Sequence, residues 1–241
     1  MNIKIKIEYD GSRYSGWQKQ QNLSTIQGKI EEAIKKISGE EIEIFASGRT
    51  DAGVHALGQV ANFEIESKIP AEKFKFAINQ HLPEDIRVLS SEKTIAGFHA
   101  RFSAKRKTYL YRIQTGEVRR PFERNLSYFV KGDLDIEKMM DCAKYLIGEH
   151  DFSSFKSEGS SARHFVREIY SLDVRRREDI IEIEISGNGF LYNMVRIIAG
   201  TLIEAGKGRE QNIPKILMAK DRTLAGPTAP AHGLFLKEVL Y

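Results

Sequence analysis

The residue types best suited to chemistry are concentrated in Gly48-Arg49-Thr50-Asp51-Ala52-Gly53-Val54-His55-Ala56. A carboxylate on a short loop can act as a nucleophile or a general base, provided that it stays ionised. Arg49 lies two residues from Asp51 and would favour the ionised form if the loop folds the two together, because a nearby cation lowers a carboxyl pKa. Gly48 and Gly53 permit backbone angles and close approaches that a side chain would forbid, so a large ligand can reach the acid. The same spacing also suits an Asx-type turn that does no chemistry. His55 follows Asp51 by four residues, but His81, His99, His150, His164 and His232 are scattered singly and Cys142 is the sole cysteine. No metal-ligand spacing emerges, and no metal is expected.

Something rigid must hold this loop. Residues 42–45 precede it and 59–65 follow it, and in both β-branched and aromatic residues alternate with polar ones, as in strands. Ile3, Ile5, Ile7 and Tyr9 alternate with Lys4, Lys6 and Glu8, which predicts another strand with one buried face. Ile26, Ile30, Ala33, Ile34 and Ile37 recur at helical spacing, with Ser24 as cap and Gly39 as stop. A short helix over 71–79 and a strand over 87–95 complete a β-α-β-β-α-β order, the split βαβ of ferredoxin-like folds. The second half repeats this loosely, with strands over 107–113 and 127–130, a helix over 136–147 and a hairpin of 169–175 with 180–185. Helices over 191–205 and 213–219 and a strand over 234–240 follow. Two α+β halves are expected, hinged near 100–104. Residues 13–22 and 156–164 are polar and Ser/Gly-rich, and read as mobile loops that could order on a polyanion.

With 241 residues, 41% of them apolar, the chain can bury a core as one large domain or two small ones. No apolar run approaches the roughly 20 residues of a membrane span, and the N-terminus is no signal-peptide core. One cysteine cannot form an internal disulfide, which fits a reducing compartment. A soluble, unprocessed, cytoplasmic protein is therefore expected, with no membrane partner. The net charge of +4 is unevenly spread. Residues 101–124 hold eight basic side chains (Arg101, Lys105, Arg106, Lys107, Arg112, Arg119, Arg120, Arg124) against Glu117 and Glu123, a net +6 that leaves −2 for the rest. Phe102, Tyr109, Tyr111 and Phe122 are interleaved with them, as suits a surface where cations meet phosphates and rings stack on bases. A solvated strand face would show the same composition.

The aspartate loop resembles the Gly-Arg-Thr-Asp-x-Gly-Val-His loop of the tRNA pseudouridine synthase A (TruA) family. The likeness continues through Tyr9-Asp10-Gly11, Gly16-Trp17-Gln18 and Thr25-Ile26-Gln27-Gly28. Further on come NQHLPEDI from Asn79, FHARFSA from Phe98, DFSSF from Asp151, NMVR from Asn193 and the segment 225–236 with Thr228-Ala229-Pro230-Ala231. It spans nearly the whole chain. The resemblance implies an α+β pseudouridine synthase fold, two ferredoxin-like halves with mainly antiparallel sheet about a central RNA-binding catalytic cleft, usually in a homodimer. The halves would be domains 1–102, with the Asp51 loop, and 103–241, with the tyrosine and arginine of the cleft. The substrate would be uridines 38 to 40 of the tRNA anticodon stem-loop, and the isomerisation needs no cofactor.

Residue by residue, the resemblance makes Asp51 the catalytic carboxylate and Arg49 the residue that displaces the base and holds the flipped nucleotide. Tyr109 matches the tyrosine that contacts the target base, and Tyr111, on the same strand face, is its competitor. Arg196, flanked by Ile197, Ile198 and Ala199, is an arginine that should have a partner, and the resemblance names Asp51. Arg101, Lys105, Arg106 and Lys107 would bind substrate; Lys107-Thr108 stands where many members carry an arginine before the tyrosine, keeping charge without the bidentate fork. His55 and Trp17 read more simply as packing residues. Attack at C1′, attack at C6 and removal of the C2′ proton are all open to the carboxylate. A non-catalytic RNA-binding module would need no ionised Asp51 facing phosphates, and a glycosidase-like hydrolase would want a second acid at a set separation.

Overall fold

The computed structural model describes residues 1–159 and 164–241. In chain order the elements are β1 (Asn2–Tyr9), α1 (Ile26–Ser38), β2 (Phe45–Ala46), β3 (His55–Glu64), α2 (Phe74–Asn79), β4 (Ile86–Lys93), β5 (Arg106–Gly116) and β6 (Tyr128–Lys131). They continue with α3 (Ile136–Lys144), β7 (Gly148–Asp151), β8 (Val166–Arg177), β9 (Ile180–Gly187), α4 (Met194–Gly206), α5 (Ile213–Ala219) and β10 (Leu234–Leu240). By contact the chain divides into Met1–Lys105 with Phe235–Tyr241, and Arg106–Leu234. The division expected from sequence, 1–102 and 103–241, differs in the place of the last strand and by three residues at the boundary.

In the first unit the strands run β4-β1-β3, antiparallel, with β2 on the far side of β3. This is the sheet order of a split βαβ. Ile3, Ile5 and Ile7 are fully buried, as their alternation requires, and so are Ile26, Ile30 and Ile34 along α1 and Phe63 and Phe74, whose rings meet edge-on at 5.9 Å. β10 joins the same edge of β3 further along, parallel, with Phe235 opposite His55 and Leu236 opposite Ala56. The second unit runs β5-β9-β8-β7, antiparallel, with β6 parallel to β5. Its order β5-α3-β8-β9-α4 repeats β1-α1-β2-β3-α2 of the first unit, with β6 and β7 added. α4 is the hub of its core, with twelve of thirteen residues buried and only Arg196 outside that set.

Several expected boundaries move. Thr25, not Ser24, caps α1, its hydroxyl accepting from Gly28 N–H at 3.3 Å, while Gly39 ends the helix in the left-handed region as expected. Residues 42–44 pair with no strand; Ile44 N–H is taken instead by the buried Glu31 carboxylate at 3.3 Å. α3 stops at Lys144, three residues early, and β7 was not anticipated because Gly148-Glu149-His150-Asp151 has no apolar alternation. Residues 13–22 are less free than their composition suggests: Ser15 N–H donates to Ser24 carbonyl at 2.9 Å, Ile26 N–H to Gly16 carbonyl at 3.1 Å and Gln27 N–H to Trp17 carbonyl at 3.0 Å. The stretch 156–164 lies partly outside the described residues.

Candidate active site

The Asp51 loop leaves β2 at Ala46 and re-enters the sheet at His55. Val54 N–H donates to the Asp51 carbonyl at 3.1 Å, closing a turn in which Gly53 has φ +77°. That left-handed angle is strained for any residue with a Cβ. At the entrance Ser47 Oγ donates to Gln59 Oε1 at 2.6 Å and Gln59 Nε2 donates to the Gly48 carbonyl at 2.9 Å. Asp51 is therefore at the first position of a turn whose two ends are both tied to β3.

The start of the chain forms the bed beneath this loop. Trp17 N–H donates to the Thr50 carbonyl at 2.9 Å, and the Tyr9 hydroxyl and Thr50 Oγ1 share a hydrogen bond at 2.8 Å. Burial holds the Tyr9 hydroxyl well above the usual phenol range, so it serves as a neutral partner. A Cβ on Gly11 would come within 1.9 Å of Val54 O, and one on Gly16 within 2.7 Å of Thr50 O. The segments Tyr9-Asp10-Gly11 and Gly16-Trp17-Gln18, which entered the sequence reading only through the resemblance, thus set where the loop backbone can lie. His55 and Trp17 are both buried, as the packing reading requires. The His55 ring is buried, stacks on Phe235 at 4.7 Å and has Nδ1 3.1 Å from both Gly11 N and Asp10 Oδ1; Trp17 is buried against Tyr9. Arg49 is exposed, and its side chain makes no hydrogen bond or ion pair among the described residues, so the pairing with Asp51 that the sequence allowed is not formed.

In the second unit, Tyr109 on β5 is half-buried and meets Phe190 edge-on at 5.2 Å, with ring planes at 87°. Tyr111 is fully buried, and its hydroxyl donates to the Pro230 carbonyl at 2.8 Å, which removes it as a surface for a base. Arg196 is half-buried and anchored twice. Nε donates to the Ala229 carbonyl at 2.7 Å and Nη1 to Asn193 Oδ1 at 2.8 Å, while Ala229 N–H returns to the Arg196 carbonyl at 3.1 Å. A freely snorkelling arginine makes no such set. The strap that carries Ala229 is itself fastened to α4: Gly226 N–H donates to Thr201 Oγ1 at 2.9 Å, and a Cβ on Gly200 would fall 1.8 Å from Pro227 O. Asn193, with φ +60°, holds Arg196 from the N-cap position of α4, a role that its place in NMVR does not announce; an asparagine just before a helical run is the available signal.

The basic stretch is less uniformly cationic than its sequence. Arg112 lies 3.4 Å from Glu123 and 3.8 Å from Glu182, and Arg120 pairs with Asp179 at 2.9 Å. Counting neighbours in sequence could not see Asp179 or Glu182, which the β5–β9 pairing brings alongside. Arg101 and Lys105, in the first unit, are exposed; Arg106, in the second, lies over the Tyr170 ring at 5.0 Å, and Lys107 is half-buried. Among the described residues no group of three or more His, Cys, Asp or Glu side chains could hold a metal ion, and no helix is long and apolar enough to cross a membrane.

A family model described as tRNA pseudouridine synthase matches residues 5–103 and 142–241. The chain belongs to the tRNA pseudouridine synthase family. Arg49, Asp51, Arg101 and Arg196 fall within the matched stretches, whereas Lys105, Arg106, Lys107 and Tyr109 fall between them. Full-length relatives bridge that gap. The chain is 52% identical to tRNA pseudouridine synthase A 2 of Clostridium tetani, over 100% of this chain and 98% of the relative. It is 50% identical to tRNA pseudouridine synthase A of a Thermoanaerobacter species and 49% identical to that of Acetivibrio thermocellus, each over 100% of this chain and 99% of the relative. As a tRNA pseudouridine synthase the protein is an isomerase that acts on tRNA, and the α+β fold with its mainly antiparallel sheet is that of the family.

Proposed function

We propose that this tRNA pseudouridine synthase converts uridines 38 to 40 of the tRNA anticodon stem-loop to pseudouridine, in the cytoplasm and as a homodimer, with Asp51 as nucleophile. The reaction breaks the bond from N1 to C1′, turns the uracil and joins C5 to C1′; the C5 proton goes to solvent and N1 gains one. Atoms and electrons balance within the substrate, so the demand on the protein is one ionised carboxylate held beside a base taken out of its stack. The observation that carries the reading is the Asp51 turn, closed by its own backbone, tied to β3 through Gln59 and bedded on Tyr9, Gly11, Gly16 and Trp17. Positioning at that level is what a nucleophile needs and what a plain connection does not.

The other roles are assigned by chemistry. Arg49, exposed and uncommitted among the described residues, displaces the base and holds the flipped nucleotide. Tyr109 offers a half-exposed ring to the target base, stacking being worth roughly 1 to 3 kcal/mol against an unstacking cost of a few kcal/mol. Arg196, preorganised by Ala229 and Asn193, supplies the cation that keeps Asp51 ionised when the base excludes water. Arg101, Lys105, Arg106 and Lys107 bind backbone phosphates. Tritium release from tRNA labelled at uridine C5, with the modified positions then mapped, tests the whole. Product at 38 to 40 with wild type and none with Asp51→Asn is expected; equal release by the variant would overturn the nucleophile, and product elsewhere would overturn the site.

A further inference from the structure

Phe45, His99 and Phe102 form a ladder of rings in the first unit. The Phe45 and His99 centroids are 5.1 Å apart with planes at 40°, and His99 and Phe102 are 4.4 Å apart at 41°; Arg101 Cζ lies 5.7 Å over the Phe102 ring. The ladder faces water, with Phe45 40% and Phe102 77% exposed. A single exposed apolar side chain means little. This one is held out by its loop. Ser103 N–H donates to the His99 carbonyl at 2.9 Å and Arg101 N–H to His99 Nδ1 at 3.1 Å. Ala100 N–H donates to Asn62 Oδ1 at 2.8 Å, and the Tyr241 hydroxyl to the Ala100 carbonyl at 2.9 Å. Asn62 is also the residue opposite Phe45 in the β2–β3 pairing, so one side chain fixes the loop beside the strand that bears the first ring. Phe98, by contrast, is turned against Tyr241 at 4.9 Å. Of the two phenylalanines in the loop, one anchors it and the other is presented.

We propose that this ladder is a stacking platform for an unpaired base of the tRNA substrate, with Arg101 taking the adjoining phosphate. It rests on the function proposed above and adds a contact outside the Asp51 loop. Rings fixed before binding lose little freedom when a base stacks on them, and any base offers a π face. Phe45 stands six residues before Asp51, so their Cα atoms are at most about 22 Å apart along the chain. A separation of that order lies within one stem-loop, at ~3.4 Å per base step. A second copy of this chain fits less well, because an interface between copies needs about 800 Å² per partner with charge depleted at its centre. Three rings with a guanidinium over the outermost are smaller and more charged than that.

The test is tRNA binding by the full chain at several salt concentrations, with sedimentation in parallel. Phe102→Ala should weaken the Kd about tenfold with the salt slope unchanged, because no counterion is involved. Phe102→Trp should bind as wild type or tighter, and Phe102→Leu should behave as alanine, since leucine is apolar without a π face. Arg101→Gln should flatten the salt slope by about one. Unchanged affinity in Phe102→Ala overturns the platform, as does a leucine variant equal to tryptophan. Weaker binding accompanied by a drop in oligomeric state overturns it in favour of an interface between copies. Tritium release by the wild type is read separately: its failure with binding intact would overturn the function and leave the platform standing.

Discussion

Asp51 and Arg196 differ in how their environments specify them, and each difference predicts a distinct result. Asp51→Asn should abolish turnover while leaving tRNA affinity within about threefold, because an amide is a far poorer nucleophile while a charge lost beside phosphates does not weaken binding. Arg196→Lys should retain part of the activity and Arg196→Met almost none. One ammonium cannot replace a fork that bonds Ala229 through Nε and Asn193 through Nη1, but it restores the charge. In the methionine variant the acid limb of the single-turnover pH profile should move to higher pH, and a limb that stays in place would overturn the proposal that Arg196 keeps Asp51 ionised. For Tyr109, phenylalanine keeps the stacking face and leucine does not. Leucine should therefore cost about tenfold more in activity than phenylalanine. If the two variants match, the ring is no base platform, and the buried Tyr111 cannot take its place.

At the scale of elements, the strands and helices with strong periodicity were legible and the elements defined by partners were not. Ile3, Ile5 and Ile7 fix β1 by themselves, and Ile26 through Ile34 fix α1. β2 is two residues long because Ile44 is bonded to Glu31 rather than to a strand, a long-range choice that no alternation records. Asp51 stood out in sequence for its residue type, yet its bed of Gly11, Gly16 and Trp17 was visible only as resemblance, since close approach leaves no trace in periodicity. That bed can be tested against a matched control. Gly16 has φ +92° and Gly39 has φ +79°, so alanine is strained at both; Gly39→Ala should lose about 1 kcal/mol of stability and Gly16→Ala more. Only Gly16 is crowded, with Thr50 O within 2.7 Å of an added Cβ; nothing lies within 4 Å at Gly39. Gly16→Ala should therefore depress the rate of the chemical step and Gly39→Ala should not, both being compared at a temperature where each is folded. Equal rates would show that the loop relaxes without moving Asp51.

At the scale of the molecule, the chain leaves its first unit at Lys105 and returns to it at Phe235. Periodicity identified the last strand correctly but could not say which sheet it joins, because pairing is decided by register with a segment some 180 positions earlier, Phe235 opposite His55. The return has consequences for β3. His55 stacks on Phe235 at 4.7 Å, Leu236 is fully buried, and Gly58 fits against Lys237, whose carbonyl oxygen would lie 2.6 Å from an added Cβ. A fragment of residues 1–105 alone would expose that edge of β3 and leave His55 without its stacking ring, next to the Asp51 loop. It should aggregate or unfold without a cooperative transition. Adding residues 235–241 should restore a cooperative unit. Lys105 N–H donates to the Leu240 carbonyl at 2.9 Å, so a linker from 105 must run back along five strand residues to reach Phe235, about 17 Å. Ten Gly/Ser residues have a typical end-to-end distance of about 17 Å, which matches. Thermal unfolding of the linked and unlinked fragments checks this: if 1–105 alone melts as sharply and as high as the linked form, β10 contributes nothing to the unit that carries Asp51.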